Sequence, residues 1–385
     1  MKSTINEHKK NNFKIVSKTL KFYSLFFIIT LLGCTEENNY YTTADGLGKT
    51  NVYIEGDLTD AEVAEKLANE VGSITENIYI GSLENYTTSP NITTIELDLP
   101  TNVRLVQFQG NYDNLRTIKI KGHGRMPFCK IYVYGGKNTE SVLVEGITEL
   151  NLITAGFDRV EKINSTIEIK DLEEVRLGFD FGGRIDNLVP NSNHVLICND
   201  LKYVNKELYY NLGGGSANGY IDSFSMNALE DMSNASLFIT SYGQVTFPAL
   251  KHVKDVNCSP IHSYPIINPI IYNLPELLTA NRIYCSGALL YTLNLNKLTS
   301  CQEIQILKYD LPSINFNAPV LNYCLNYQSR NLLTTSGVNA VLNKFLTIQP
   351  SSGKYIDLTQ EVAPTGQGLI DKQTLITQGN QVYTN

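Results

Sequence analysis

Phe247-Pro248-Ala249-Leu250, Leu274-Pro275-Glu276-Leu277, Leu295-Asn296-Lys297-Leu298 and Ala318-Pro319-Val320-Leu321 are one phrase written four times within residues 247–327. An apolar residue stands two places before each: Val245, Tyr272, Leu293 and Phe316. Three residues beyond each final leucine comes Val253, Ala280, Cys301 or Cys324, and after three more come Val256, Ile283 or Ile304. The common frame is L-x-x-[VAC]-x-x-[VI]-x-[CI]. Internal repetition of this kind outranks local propensity in deciding a fold.

Upstream, the same columns recur in Ile167-x-Ile169-x-x-Leu172-x-x-Val175-x-Leu177, Leu196-x-Cys198-x-x-Leu201-x-x-Val204 and Phe224-x-Met226-x-x-Leu229-x-x-Met232. The leucine column runs Leu172, Leu201, Leu229, Leu250, Leu277, Leu298, Leu321, with spacings of 29, 28, 21, 27, 21 and 23. A coil of that length cannot bury its apolar side alone, so neighbouring coils must stack and share a core. Strand-like stretches at 77–80, 94–97, 104–108 and 117–120 share the alternation but keep the frame loosely. A β-sandwich of alternating strands is the competing arrangement.

The segments Leu250-x-x-Val253-x-x-Val256-x-Cys258, Leu277-x-x-Ala280-x-x-Ile283-x-Cys285 and Leu298-x-x-Cys301-x-x-Ile304-x-Ile306 resemble leucine-rich repeats in the irregular BspA-like and receptor-L-domain-like form. The resemblance implies a mainly β, right-handed, leucine-rich-repeat-like solenoid over residues 77–332. No regular asparagine follows the strand, which favours a flatter solenoid over a horseshoe with an asparagine ladder.

Ahead of the solenoid, residues 51–76 read as an N-terminal helical cap. Thr59 and Glu62 form a capping box, Leu58 can staple onto Val63, and Val63, Ala64, Leu67, Ala68 and Val71 recur at helical spacing. Behind it, residues 333–385 read as a C-terminal α/β cap. A helix carries Val338, Val341, Leu342, Phe345 and Leu346, then come a strand at Tyr355–Leu358, a helix from Thr365 to Gln378, and a last strand at 381–385. The pieces Gly353-Lys354-Tyr355-Ile356-Asp357-Leu358, Ala363-Pro364-Thr365-Gly366-Gln367-Gly368-Leu369 and Val382-Tyr383-Thr384-Asn385 resemble a C-terminal element of Bacteroidetes repeat proteins. Its expected task is to seal the last coil; a sorting signal is the rival.

The first 33 residues carry six lysines against one glutamate, and their apolar run Phe22–Leu32 suits a signal peptide rather than a membrane span. The run ends on Leu31-Leu32-Gly33-Cys34, which resembles a bacterial lipobox and implies lipidation of Cys34 after removal of residues 1–33. Thr35-Glu36-Glu37 is similar to the surface-export signal of Bacteroidetes lipoproteins. Residues 34–50 read as a lipidated, flexible tether. Within them Gly46-Leu47-Gly48-Lys49-Thr50 mimics a phosphate loop, but position 43 is threonine where that motif needs glycine, and no apolar strand leads into it.

Beyond residue 33 the chain holds 25 basic and 37 acidic residues, net -12, which excludes nucleic acid as a partner. Six further cysteines stand at 129, 198, 258, 285, 301 and 324, with no C-x-x-C pair to suggest zinc or redox chemistry. Cys258 with Cys285, and Cys301 with Cys324, share columns and would sit about 4.8 Å apart on adjacent parallel strands. Disulfides fit there, but reduced core packing is the expectation.

His123, His194, His252 and His262 each stand alone, and Glu173, Glu174 and Asp180 form no recognisable dyad. No catalytic, metal or cofactor residues are therefore assigned. The glycine-rich stretch 212–219 reads as a loop, and 259–269 as a proline-stiffened projection that packs over the solenoid or meets a partner.

The functional expectation is a non-enzymatic lipoprotein of the bacterial outer membrane, facing outward, held by its lipid anchor at Cys34 and binding an extracellular protein. A glycan-binding lipoprotein using tyrosines such as Tyr132, Tyr134, Tyr209 and Tyr210, in a chain of 23 tyrosines and no tryptophan, is the alternative. An unrecognised surface hydrolase assembled from distant coils is a third.

Overall fold

Apolar residues at every second position put one side of a strand inward, and parallel stacking turns those positions into rows through the molecule. The computed structural model describes residues 46–81, 91–108, 114–158, 164–184, 193–212, 223–239, 244–259, 270–286, 290–307 and 314–385. It is mainly β, a parallel β-solenoid of about ten turns, rather than a sandwich. Residues 1–33, Cys34, the tether to residue 45, the loop cores 213–219 and 260–269, and His262 lie outside the described residues.

Each central turn gives one strand to a main sheet and one to a second sheet. The main ladder begins at Asn51–Ile54, which pairs in parallel with Asn77–Ile80 and through it with Leu105–Phe108. It ends with Ser300–Leu307, Asn326–Arg330, Tyr355–Leu358 and Gln381–Thr384, again all parallel. One inward row passes in register from Val52, Ile78 and Val106 through Ile283, Ile304 and Tyr327 to Ile356 and Val382, and each of these is buried. The leucine column from Leu172 to Leu321 is buried throughout. Burying a side chain of that size contributes roughly 1.5–3 kcal/mol, and only stacking makes it available.

The repeated phrase is the corner between the sheets. The N–H of Leu277 donates to the carbonyl of Leu274, Leu298 to Leu295, and Leu321 to Ala318, closing tight turns of 3.1–3.3 Å. Adjacent corners are stitched from coil to coil: Phe247 N–H to Asn273 O, Leu274 to Asn294 O and Leu295 to Asn317 O. Two asparagines and a threonine add a side-chain link across three of these corners. Asn294 Nδ2 donates to Asn273 Oδ1 at 2.6 Å and Asn273 Nδ2 to Thr246 Oγ1 at 3.3 Å. The asparagine stands four residues before the leucine, not after the strand.

Two coils turn without that phrase. Thr117–Gly135 and Ser141–Asp158 are single strands of 19 and 18 residues that run through the second sheet, round the corner and into the main sheet. Glycines make the bend. Gly146 has φ +73°, and a Cβ there would stand 2.4 Å from the Gly122 carbonyl oxygen. Its N–H donates to Asp171 Oδ2 in the next coil at 2.9 Å.

The structure corrects three expectations. Leu177 is not a core residue; it is exposed, because one extra residue follows Val175 and Phe179 takes the inward place opposite Ile153. The columns do not stop at Leu333: the inward row continues through Ile356 and Val382, with helices α2 (Thr335–Phe345) and α3 (Gln367–Thr377) in place of second-sheet strands. The C-terminal segment thus adds coils to the stack. Finally, residues 46–50 are docked rather than free. Ile74 N–H donates to Leu47 O, Lys49 N–H to Glu70 O, and Lys49 Nζ meets Glu70 at 2.8 Å. The phosphate-loop lookalike is a clasp, in which a Cβ at Gly48 would lie 2.3 Å from the Gly72 nitrogen.

At the start, α1 (Asp60–Glu70) carries the full Thr59–Glu62 capping box and buries Val63 and Leu67. Asp60 fastens it to the second sheet by accepting from the Thr93 and Thr94 N–H groups at 2.6 and 3.0 Å. At the other end two buried polar side chains are tied to the backbone. Lys354, wholly buried, donates to the carbonyls of Phe345 and Ile348 at 2.8 and 2.7 Å, and burial lowers its pKa. Asn380 accepts from Lys354 N–H and donates to Ser351 and Leu375 carbonyls.

Candidate functional site

The residues between the inward rows of the main sheet face outward, and the register lines them up along the solenoid. Tyr53, Tyr79, Gln107, Tyr132 and Thr154 stand in one such row, which continues through Asn257, Tyr284 and Gln305 to Gln328, Asp357 and Tyr383. Tyr53 and Tyr79 stack with ring centroids 5.0 Å apart and planes 12° from parallel. That spacing follows from the strand separation, and each ring turns one face to its neighbour. Tyr355 and Tyr383 meet at 5.5 Å and 47° at the far end. Between the ends the face is mostly polar: within one strand Gln305 Nε2 donates to Glu303 at 2.5 Å, and across strands Asn326 Nδ2 donates to Glu303 at 3.4 Å and Arg282 lies 3.7 Å from Asp255.

Along the corner, lysines reach back one coil to glutamates. Lys202 meets Glu173 at 2.9 Å, Lys251 meets Glu230 at 3.0 Å, and Lys297 meets Glu276 at 2.7 Å. Pairs this exposed add little to stability, but they neutralise each other along the edge.

One cluster differs. Glu149 is almost fully covered, its side chain 3% exposed, and each of its oxygens is taken by a different arginine: Oε2 by Arg125 Nε at 2.5 Å, Oε1 by Arg176 Nε. The hydrogen bond from Arg125 and the charge of both guanidiniums hold the Glu149 carboxyl below its usual value, and Glu149 in turn raises Arg125. The sign for stability follows. A depressed folded-state pKa contributes stability above pH 4.5, which is lost as pH falls through the folded value. Glu149→Gln is expected to lower Tm at pH 7 by roughly 2–4 °C. The gap should close as the pH is taken well below 4.5; a gap independent of pH would show that the charge is not what matters.

Among the described residues, the sequence-flagged side chains do not converge on a reactive centre. Cys129, Cys198, Cys258, Cys285, Cys301 and Cys324 are all free and buried. Cys258 and Cys285 pair in register as the shared column required. Burial pushes the Cys129 and Cys324 thiols up to about 12, and the hydrogen bond with Cys285 pushes Cys258 up as well, which leaves them poor nucleophiles. His252 Nδ1 bonds Thr279 Oγ1 at 2.8 Å, His123 bonds Asp98 at 2.6 Å, and Glu174 accepts from Asn205 at 2.6 Å. Asp180 is turned to the outer row, where burial raises its pKa. Among the described residues, no three His, Cys, Asp or Glu side chains gather as metal ligands, and no helix is long and apolar enough to cross a membrane.

Sequence reasoning missed the Arg125–Glu149–Arg176 cluster. Its members are 24 and 27 residues apart, one coil each, and that spacing is the only signal the sequence held.

No protein-family model matches this chain, no curated protein matches its sequence, and no solved structure matches it.

Proposed function

We propose that this chain is a non-enzymatic lipoprotein of the Bacteroidetes type, anchored at Cys34 in the outer membrane, whose leucine-rich-repeat-like solenoid faces outward and binds a protein partner. The observation that carries the binding part is the outer face of the main sheet. It is an in-register row whose described side chains are mostly amides, carboxylates and tyrosines, from Tyr53 to Tyr383. Such a face suits a broad, mostly polar protein contact, with about one hydrogen bond per 100–200 Å². The tyrosine geometry supports the same choice. A sugar platform uses ring faces open to the ligand, whereas Tyr53 and Tyr79 each turn one face to the other. The anchor and the export signal are supported by Leu31-Leu32-Gly33-Cys34 and Thr35-Glu36-Glu37.

The test is a screen of the full chain in detergent against arrays of extracellular proteins and of glycans. Saturable binding to a protein, weakened when Tyr79 and Gln305 are replaced by serine, is the expected result. Binding confined to glycans would overturn the protein-binding reading.

A further inference from the structure

The Arg125–Glu149–Arg176 cluster does more than hold neighbouring coils together. Each arginine spends only its Nε on Glu149, and among the described residues neither guanidinium has another hydrogen-bond or ion-pair partner. Their Nη edges therefore remain available, and both side chains reach solvent, Arg125 at 71% and Arg176 at 41% exposure. The counter-charge lies beneath them, buried. Glu174, the next carboxylate in the same row, accepts from Asn205 and adds its negative charge to that of Glu149 at Arg125, without a hydrogen bond to either guanidinium.

The strands bulge at this place in successive coils. The register slips between Met126 and Lys130, and again between Leu150 and Leu152, where Val175 and Gly178 stand opposite. The residues thrown outward include Phe128, 71% exposed, and Leu177, the leucine that left the core. Two apolar side chains thus flank two arginines whose orientation is fixed by one carboxylate. Arginine and aromatic residues are the side chains that dominate protein-binding hot spots.

The chemistry of the partner follows from desolvation. Anything that covers Phe128 and Leu177 also strips water from the free guanidinium edges, so it must supply acceptors there or leave charge unpaired. A carboxylate fits a guanidinium edge with two parallel hydrogen bonds. The remainder of the chain past residue 33 is acidic, so an acidic ligand is repelled elsewhere and steered to this point. We propose that the Arg125–Glu149–Arg176 corner, with Phe128 and Leu177, is a recognition site for a protein segment presenting an aspartate or glutamate beside an apolar side chain. This inference rests on the protein-binding reading and names the part of the surface that carries it.

The probe is an immobilised set of 12-residue peptides carrying Asp or Glu next to Phe or Leu, together with the same peptides bearing Asn or Gln. The full chain in detergent is expected to bind the carboxylate set and to lose about ten-fold or more in affinity for the amide set. Arg125→Lys and Arg176→Lys keep a positive charge for Glu149 and give up the fork, so each should weaken binding by a similar factor with unchanged circular dichroism. Phe128→Ser should do the same, while Lys297→Ala, several coils away, should not. Equal binding of both peptide sets, or full binding by the lysine variants, overturns the site while leaving protein binding elsewhere intact. Binding of uronate or sulfated oligosaccharides with none to peptides or proteins overturns the site and the protein-binding reading together.

Discussion

Replacing Glu361 with alanine is expected to unfasten the C-terminal coils, at a loss of about 3–5 kcal/mol. Glu361 is buried, and its carboxylate accepts from the Ser329 hydroxyl and from the N–H groups of Asn331 and Leu333, each at 2.6 Å. Between those two N–H groups sits Leu332, a non-glycine residue at φ +56°. The carboxylate therefore braces the strained backbone where the chain leaves the last β–β turn and starts α2. Without it two buried donors and one partly buried donor lose their acceptor and the brace is gone. Because stability in a stack is nearest-neighbour, the damage should be local. Hydrogen exchange should rise across residues 326–385 and change little at 77–158. Glu361→Gln, which keeps the shape and one acceptor oxygen, should fall between the two. Unaltered protection of 355–358 and 381–384 in the alanine variant would refute this account.

Gly146→Val is the second large effect, about 3 kcal/mol or more. Valine must there adopt φ +73° and push its Cβ into the Gly122 carbonyl oxygen, which stands 2.4 Å from the ideal position. A comparison isolates the contact. Gly124 also has positive φ, at +76°, but a Cβ there meets nothing within 4 Å. Gly124→Ala should thus cost only the backbone preference, about 1–2 kcal/mol. Gly146→Ala should cost that and the close approach as well. Denaturant midpoints read the difference; equal losses at the two glycines would mean that the coils can separate freely at this corner.

What the sequence made legible is tied to how each coil turns. Where the corner is built from proline or asparagine ahead of a leucine, as at 247–250 and 274–277, the turn leaves a mark and the strands on either side could be placed. Asn77–Ile80 and Tyr355–Leu358 are found with the bounds their alternation indicates. Where the corner is glycine in continuous strand, as at Gly122 and Gly146, no turn residue marks it, so the alternation shows only 117–120 of the first long strand and none of the second. Leu177 misled because a strict step counts residues while a bulge inserts one. The C-terminal helices concealed the ladder because they change the second layer only; the I-x-L of Ile356 and Leu358 still faces the core. The arginine cluster stayed hidden for a different reason. Ion pairs between coils become neighbours only when the loop lengths between them are known, and neither periodicity nor composition supplies those.

The two strands that pass round the corner also set how the molecule bears load. Elsewhere the coils touch through two short ladders separated by turns, and a pull along the axis can open one ladder before the other. Between Thr117–Gly135 and Ser141–Asp158 the register runs from Thr117 opposite Ser141 to Gly135 opposite Phe157, through both sheets. That ladder slips at Lys121/Gly124 and at Met126/Lys130, yet it carries on round the corner where other coils have two separate ladders. On the proposed reading of a tethered solenoid that binds a partner, a pull would shed coils from the ends first and leave these two strands, with the arginine corner built on them and on the next main-sheet strand, still assembled.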